Sequence, residues 1–322
     1  MILIILSGFY MQEAFAALPY FSHMYFFGDS MTDAGNYIEK KPRVCVRVNA
    51  PVTNPTGGTQ PATVWADDVN VGFVATPSRI TQNNGQVGND YAIAGSLSNN
   101  LKVEVNNYLT NNKSADPQAL YVIWIGGNDI MERIYEHLQF RDTVINNGMR
   151  NIQNSIEQLY KAGARNFLVI GVPDISVAPL VANPHMNWAL DTGIFHFLTK
   201  SIHISCTEWN KQLFNSSAAI ANSNSLKAPL AALALKYTDI RIYTWDPIPF
   251  LDQAANNPSQ FGFPNKINNL PNNYAGWCNG ATTNSNNPDN YIFFNYIHPT
   301  ARAHAILAQH IRDEADLFSL NG

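Results

Sequence analysis

Five short apolar runs, at positions 24–27, 91–94, 120–125, 166–170 and 240–245, punctuate the chain and read as strands. Between and after them the apolar residues change period. Met149, Ile152, Ile156 and Leu159 recur at steps of three and four and stop at Gly163, the usual kind of helix end. Phe195, Leu198, Ile202, Trp209 and Leu213 keep helical spacing over a longer segment, and Ala303, Leu307, His310, Ile311 and Ala315 do so near the C-terminus, with Thr300 placed to cap that helix. Trp65–Val69 reads as a short helix whose tryptophan belongs to the core or, less simply, lines a groove. Strands separated mostly by helices predict a five-stranded parallel sheet covered on both faces, a three-layer α/β/α sandwich forming one domain.

Two stretches lack either period. Residues 40–60 are rich in Pro, Val, Asn and Gly and read as a surface excursion. Residues 246–290 mix Asn, Pro and Gly with Phe250, Phe261, Phe263, Tyr274 and Trp277, and read as an irregular insertion. Its aromatics either cover a binding site or pack on one another.

At 322 residues and 46% hydrophobic, the chain can bury a substantial core. Only 14% of residues are charged and the formal net charge is −4, so no basic stripe exists to neutralise nucleic-acid phosphates. The apolar run Ile2–Met11 followed by Ala14-x-Ala16 reads as a secretion signal over residues 1–16, although no Lys or Arg precedes it; a buried N-terminal strand or helix is the competing reading. The expectation is an exported chain, extracellular or periplasmic. Cys45, Cys206 and Cys278 are too scattered for a zinc site or redox pair; one disulfide with one free thiol, in any of three pairings, or three buried thiols are the alternatives.

The chemistry concentrates at strand ends. Ser30 follows the first run in a sharp Gly28-Asp29-Ser30 turn; Gly95 ends the second; Asn128 follows the third; and His298-Pro299-Thr300 precedes the last helix. Ligands of doubly wound sheets bind just beyond the carboxyl ends of the strands. A serine nucleophile needs a base and preorganised donors for the oxyanion, and these four residues supply that set. Taken singly each is ordinary: a capping serine, turn residues, a helix-entry histidine. Asp29 and Asp33 read as shaping the turn and a following helix start. His196 and His203 read as structural or exposed.

In this order the blocks resemble those of the SGNH (GDSL-type) esterase and lipase superfamily, across residues 25–304. Phe-Phe-Gly-Asp-Ser-x-x-Asp-x-Gly-Asn early and His-Pro-Thr late are similar to its secreted bacterial lysophospholipase and glycerophospholipid:cholesterol acyltransferase branch. The resemblance implies a flavodoxin-like sandwich, Ser30 as nucleophile, His298 as base, and the Ser30 N–H, Gly95 N–H and Asn128 amide as oxyanion hole, without metal or cofactor. Met31 replaces the customary leucine with a side chain of similar volume. Asn295 stands where the family carries the triad aspartate. An amide cannot stabilise an imidazolium, and the same change in a serine protease costs about 10⁴ in turnover. Inactivation, a Ser30–His298 dyad held by a backbone carbonyl, and a substitute acid from Asp289 or Asp246 are the three accounts. The resemblance implies a hydrolase of phospholipid or lysophospholipid acyl esters, with acyl transfer as a side activity and a membrane surface only as substrate source. A silent lipid- or glycan-binding homologue and a carbohydrate acetylesterase are the alternatives.

Overall fold

A computed structural model describes residues 21–37, 52–53, 59–60, 64–68, 75–79, 87–136, 141–182, 192–216, 226–264, 291–293 and 297–314. The expected signal, Cys45, Cys278, Tyr274, Trp277, Asp289 and Asn295 lie outside the described residues, as does the side chain of His196.

Strand β1 (Met24–Gly28) pairs in parallel with β4 (Leu120–Trp124), β4 with β5 (Asn166–Ile170), and β5 with β6 (Arg241–Trp245). A separate two-stranded ribbon joins β2 (Val52–Thr53) and β3 (Thr59–Gln60). Every residue of β4 and β5 is buried, which is why these runs are continuously apolar rather than alternating. Edge strand β6, mostly solvent-accessible, carries Arg241 and Thr244 outward.

The two sheet faces carry separate cores. Val122, Trp124, Leu168 and Ile170 pack with helices α8 (Pro247–Asn256) and α9 (Ala301–Glu314) and the short α1 (Trp65–Asp68). Tyr121, Ile123, Phe167 and Val169 face α2 (Leu101–Asn112), α4 (Arg141–Lys161) and α6 (Thr192–Leu213). Helix α3 (Gly127–Glu136) follows β4, while α5 (Pro179–Ala182) and α7 (Pro229–Lys236) fill the connections. The α4 end is as expected: Gly163 takes φ 124°, and Ala164 N–H reaches back to the Leu159 carbonyl. Trp65 is fully buried and donates its indole N–H to Thr32, a core role.

Two sequence expectations are corrected and one open choice, among the cysteines, is narrowed. The sheet has four strands among the described residues, not five. Residues 91–94 do run beside β1, with Tyr91 N–H on the Phe26 carbonyl and Ile93 N–H on the Gly28 carbonyl. The pairing stops there, because the Gly28 N–H goes to the Glu104 carboxyl instead of to this segment, while on the outer side Asp90 makes one bridge to Pro77 and the Asn36 amide takes the Asp90 and Ala92 carbonyls. Residues 246–290 are not irregular at their start. Asp246 caps α8 through the Ile248 N–H, Pro247 occupies the first turn, and buried Pro247, Phe250, Leu251, Ala254 and Ala255 form a helical stripe. Finally, Cys206 is a buried free thiol, which excludes both pairings that involve it.

Gly28 closes β1 at φ 149°, and a Cβ there would stand 2.1 Å from the Trp124 carbonyl oxygen. Since that backbone cannot yield without breaking the β1–β4 ladder, Gly28→Ala is expected to destabilise the fold by about 3 kcal/mol or more. Thermal unfolding monitored by circular dichroism would show a midpoint several degrees lower; an unchanged midpoint would contradict this.

Candidate active site

Beyond Gly28 the chain turns tightly, and two aspartates hold the turn. The Asp29 carboxylate accepts the Met31 N–H at 3.0 Å, while the Asp29 carbonyl accepts the Thr32 and Asp33 N–H groups. Asp33 accepts backbone N–H bonds from Gly35, Asn36, Tyr37 and Ala94, so one carboxylate fastens the serine loop to the segment that carries Gly95. Asp29 and Asp33 thus shape the turn as expected, but residues 31–37 form turns and bends rather than a helix start.

Ser30, 9% exposed, has its hydroxyl Oγ 3.0 Å from Nε2 of His298. These residues are 268 positions apart. His298 is positioned by a bridge between Phe293 and Pro299 and by Thr300, whose hydroxyl accepts the Ala303 N–H and caps α9 as expected. Burial lowers the His298 pKa to about 3, so the imidazole is neutral and able to accept a proton.

Donors converge on the same place. Among the described residues, neither the Ser30 N–H nor the Gly95 N–H has a protein acceptor. Gly95 adopts φ 84° with nothing within 4 Å of an added Cβ, so glycine is needed there for its conformation rather than for space. Asn128 donates one amide hydrogen to the Ser96 carbonyl at 3.0 Å, which orients the amide and leaves its second hydrogen for a ligand. Ser30, Gly95, Asn128 and His298 all line one cavity of about 420 Å³. Its remaining wall is chiefly apolar and includes Met31, Trp124, Ile175, Ala178, Leu251 and Leu307. Such an arrangement can activate a hydroxyl and stabilise an oxyanion beside an apolar substrate group.

Other candidates fall elsewhere. Asp246 accepts from the Ile248 N–H and the Asn210 amide, bonds that commit it to the start of α8 rather than to His298. His203, exposed on α6, holds Asp174 at 2.6 Å, consistent with a structural role. Phe250, Phe261 and Phe263 pack in the core and do not line the cavity. Among the described residues, no cluster of His, Cys, Asp or Glu suits a metal ion, and no helix is long and apolar enough to cross a membrane.

Two features escaped the sequence reading. The Pro173–Ala178 wall follows β5, and applying the strand-end rule to that fourth run as well would have found it. Glu104 gave no signal, since an acidic residue on a helix ordinarily faces water. Here it is buried, accepting the Gly28 N–H at 2.9 Å and the Ser96 hydroxyl at 2.8 Å, and so braces both the Ser30 and the Gly95 loops.

A family model described as GDSL-like lipase/acylhydrolase matches residues 24–311. Lipase 1 of Photorhabdus luminescens is 24% identical over an alignment covering 90% of this chain and 49% of that protein. An acetylesterase of Thermothelomyces thermophilus is 24% identical over 61% of this chain and 52% of its own length. The chain thus spans about half the length of the curated relatives it matches. A lipolytic G-D-S-L family protein from Veillonella parvula aligns with 91% of this chain and 97% of its own at 14% identity and a TM-score of 0.41.

Burial pushes the carboxyl of Glu104 up to about 8 and that of Asp29 up to about 7. Both groups keep protons in the folded state that the unfolded chain releases near pH 4. Folded-state stability should therefore fall as pH rises from about 4 to about 8. Denaturant unfolding across that range checks this, and Glu104→Gln should flatten the decline; a slope unaffected by that substitution would contradict it.

Proposed function

The chain belongs to the GDSL-like lipase/acylhydrolase family, and from that premise we propose that it is a serine carboxylic ester hydrolase. The observation that carries the reading is the 3.0 Å contact between Ser30 Oγ and His298 Nε2, beside two backbone N–H groups without an acceptor among the described residues and the Asn128 amide. His298 takes the Ser30 proton as Oγ bonds to the ester carbonyl carbon. The negative oxygen settles on the Ser30 and Gly95 N–H groups and the Asn128 amide. Collapse breaks the bond to the alcohol, which leaves with the proton from His298, and a water activated by the same imidazole then releases the acid.

Acyl esters of lipids, phospholipids and lysophospholipids among them, are the substrate class this reading favours. The support is the cavity wall, where Trp124, Ile175, Ala178, Leu251 and Leu307 offer apolar contact that an acetyl group would leave unused. An acceptor alcohol in place of water would give acyl transfer. A second reading, hydrolysis of acetyl esters, is favoured by the acetylesterase relative.

Ser30→Ala should reduce ester turnover to background, and Asn128→Ala should lower kcat by about 10²–10³, the usual effect of losing one oxyanion donor. Assays on a neutral ester and on lysophospholipid would check both. Full activity in Ser30→Ala would end the assignment of Ser30 as nucleophile, whereas a parent protein that turns over neither ester would leave a binding role.

We further propose that Asn295, where the family carries an aspartate, slows this chain, because an amide bears no charge with which to stabilise an imidazolium. Because the His298 pKa is lowered to about 3, the base stays neutral through mildly acidic pH. The pH profile of kcat/KM should lack a fall near 6.5 and decline only toward about 3. Asn295→Asp should raise kcat by about 10²–10⁴ and move the acid limb upward, since a carboxylate favours the protonated ring. Unchanged kcat in Asn295→Asp would point to another acid or to a self-sufficient dyad.

A further inference from the structure

The cavity beside Ser30 does not stop at the strand ends. Ala178 from the turn after β5, Leu251 from α8 and Leu307 from α9 line it, and all three belong to the core layer that packs on the same sheet face as Trp124. The space therefore extends from the reacting groups into the seam between the sheet and the α8/α9 layer. At about 30 Å³ for each water-sized group, a volume of 420 Å³ takes on the order of a dozen methylene-sized groups, ester included.

Within that seam the wall is built of bulky side chains, Trp124, Leu251, Phe293 and Leu307, with one small member, Ala178. Backbone conformation does not require alanine there. Its φ of −66° and ψ of 144° suit any L-residue. Its N–H reaches the Ile175 carbonyl at 3.1 Å, and its carbonyl accepts the Val181 and Ala182 N–H groups at 2.9 and 2.8 Å, so the Cβ is held in a fixed place. What alanine supplies is the absence of a longer side chain.

Resting on the ester-hydrolase reading above, we propose that the substrate's acyl chain lies in this seam and that Ala178, with Leu251 and Leu307, sets how long a chain fits. The substrate class is then aliphatic acyl esters with about six to ten carbons in the acyl group, the length for which the cavity has room. Longer chains lose contact or bend outward, and acetyl groups leave the seam unfilled.

The test is the chain-length profile of kcat/KM on 4-nitrophenyl esters from acetate to palmitate, read as ratios between lengths so that overall rate cancels. Ala178→Leu adds three carbons to the wall. With about fourfold lost for each methylene no longer buried, the preference for octanoate over butyrate should fall about 60-fold. Leu251→Ala should move the optimum to longer chains. If Ala178→Leu does not fold, Ala178→Val asks the same question with a smaller shift. Folded Ala178 and Leu251 variants with the unaltered profile would overturn the proposal. Failure of the hydrolase reading would look different: Ser30→Ala would then match the parent on every ester.

Discussion

Parallel pairing of β1 with β4 is the constraint on which the rest depends. It sets Gly28 opposite Trp124, so the chain leaves the sheet toward Ser30 and toward Asn128 from adjacent positions at the same height. The Gly28 Cα lies so close to the Trp124 carbonyl that no side chain fits between them. The Ser30 turn is therefore placed by backbone contact rather than by adjustable side chains. From there Asp33 carries the placement to Gly95 through the Ala94 N–H, and Glu104 couples Gly28 to Ser96. A hydroxyl, an amide and two N–H groups become neighbours through these few bonds.

The same arrangement costs stability. Asp29, Asp90 and Glu104 are each held above the ordinary carboxylate range, and burial is the first cause in every case. Asp29, Asp33 and Asp90 each accept backbone N–H bonds, which offsets part of the desolvation. Acidic side chains thus do the work of loop ladders around the serine. This explains why the loops can be short on regular structure while their N–H groups remain aimed at the cavity.

Much of this was visible in the residues themselves. Continuous apolar runs marked β4 and β5 because both faces of those strands are covered, and the pattern at Met149–Leu159 with Gly163 marked α4 and its end. Ser30, Gly95, Asn128 and His298 were identifiable from strand-end position and motif, and they line one cavity. Less could be read where side chains interrupt backbone pairing: the Gly28 N–H goes to Glu104 instead of to the neighbouring segment, the Asn36 amide bonds the Asp90 and Ala92 carbonyls, and nothing in Tyr91–Ala94 announces either. Helix α8 was hidden by its two prolines, which suit a first turn capped by Asp246 but read as breakers in a Pro- and Asn-rich stretch. The apolar cavity wall was invisible because Ala178, Leu251 and Leu307 come from three elements far apart in sequence.

The proposed chemistry requires that Ser30 be a nucleophile activated by His298. Treatment with a fluorophosphonate, followed by intact mass and peptide mapping, tests this without choosing a substrate. One adduct is expected, on the Ser30 peptide, with a rate of formation that drops sharply in His298→Ala. No adduct, an adduct on another residue, or labelling that ignores the loss of His298 would contradict it.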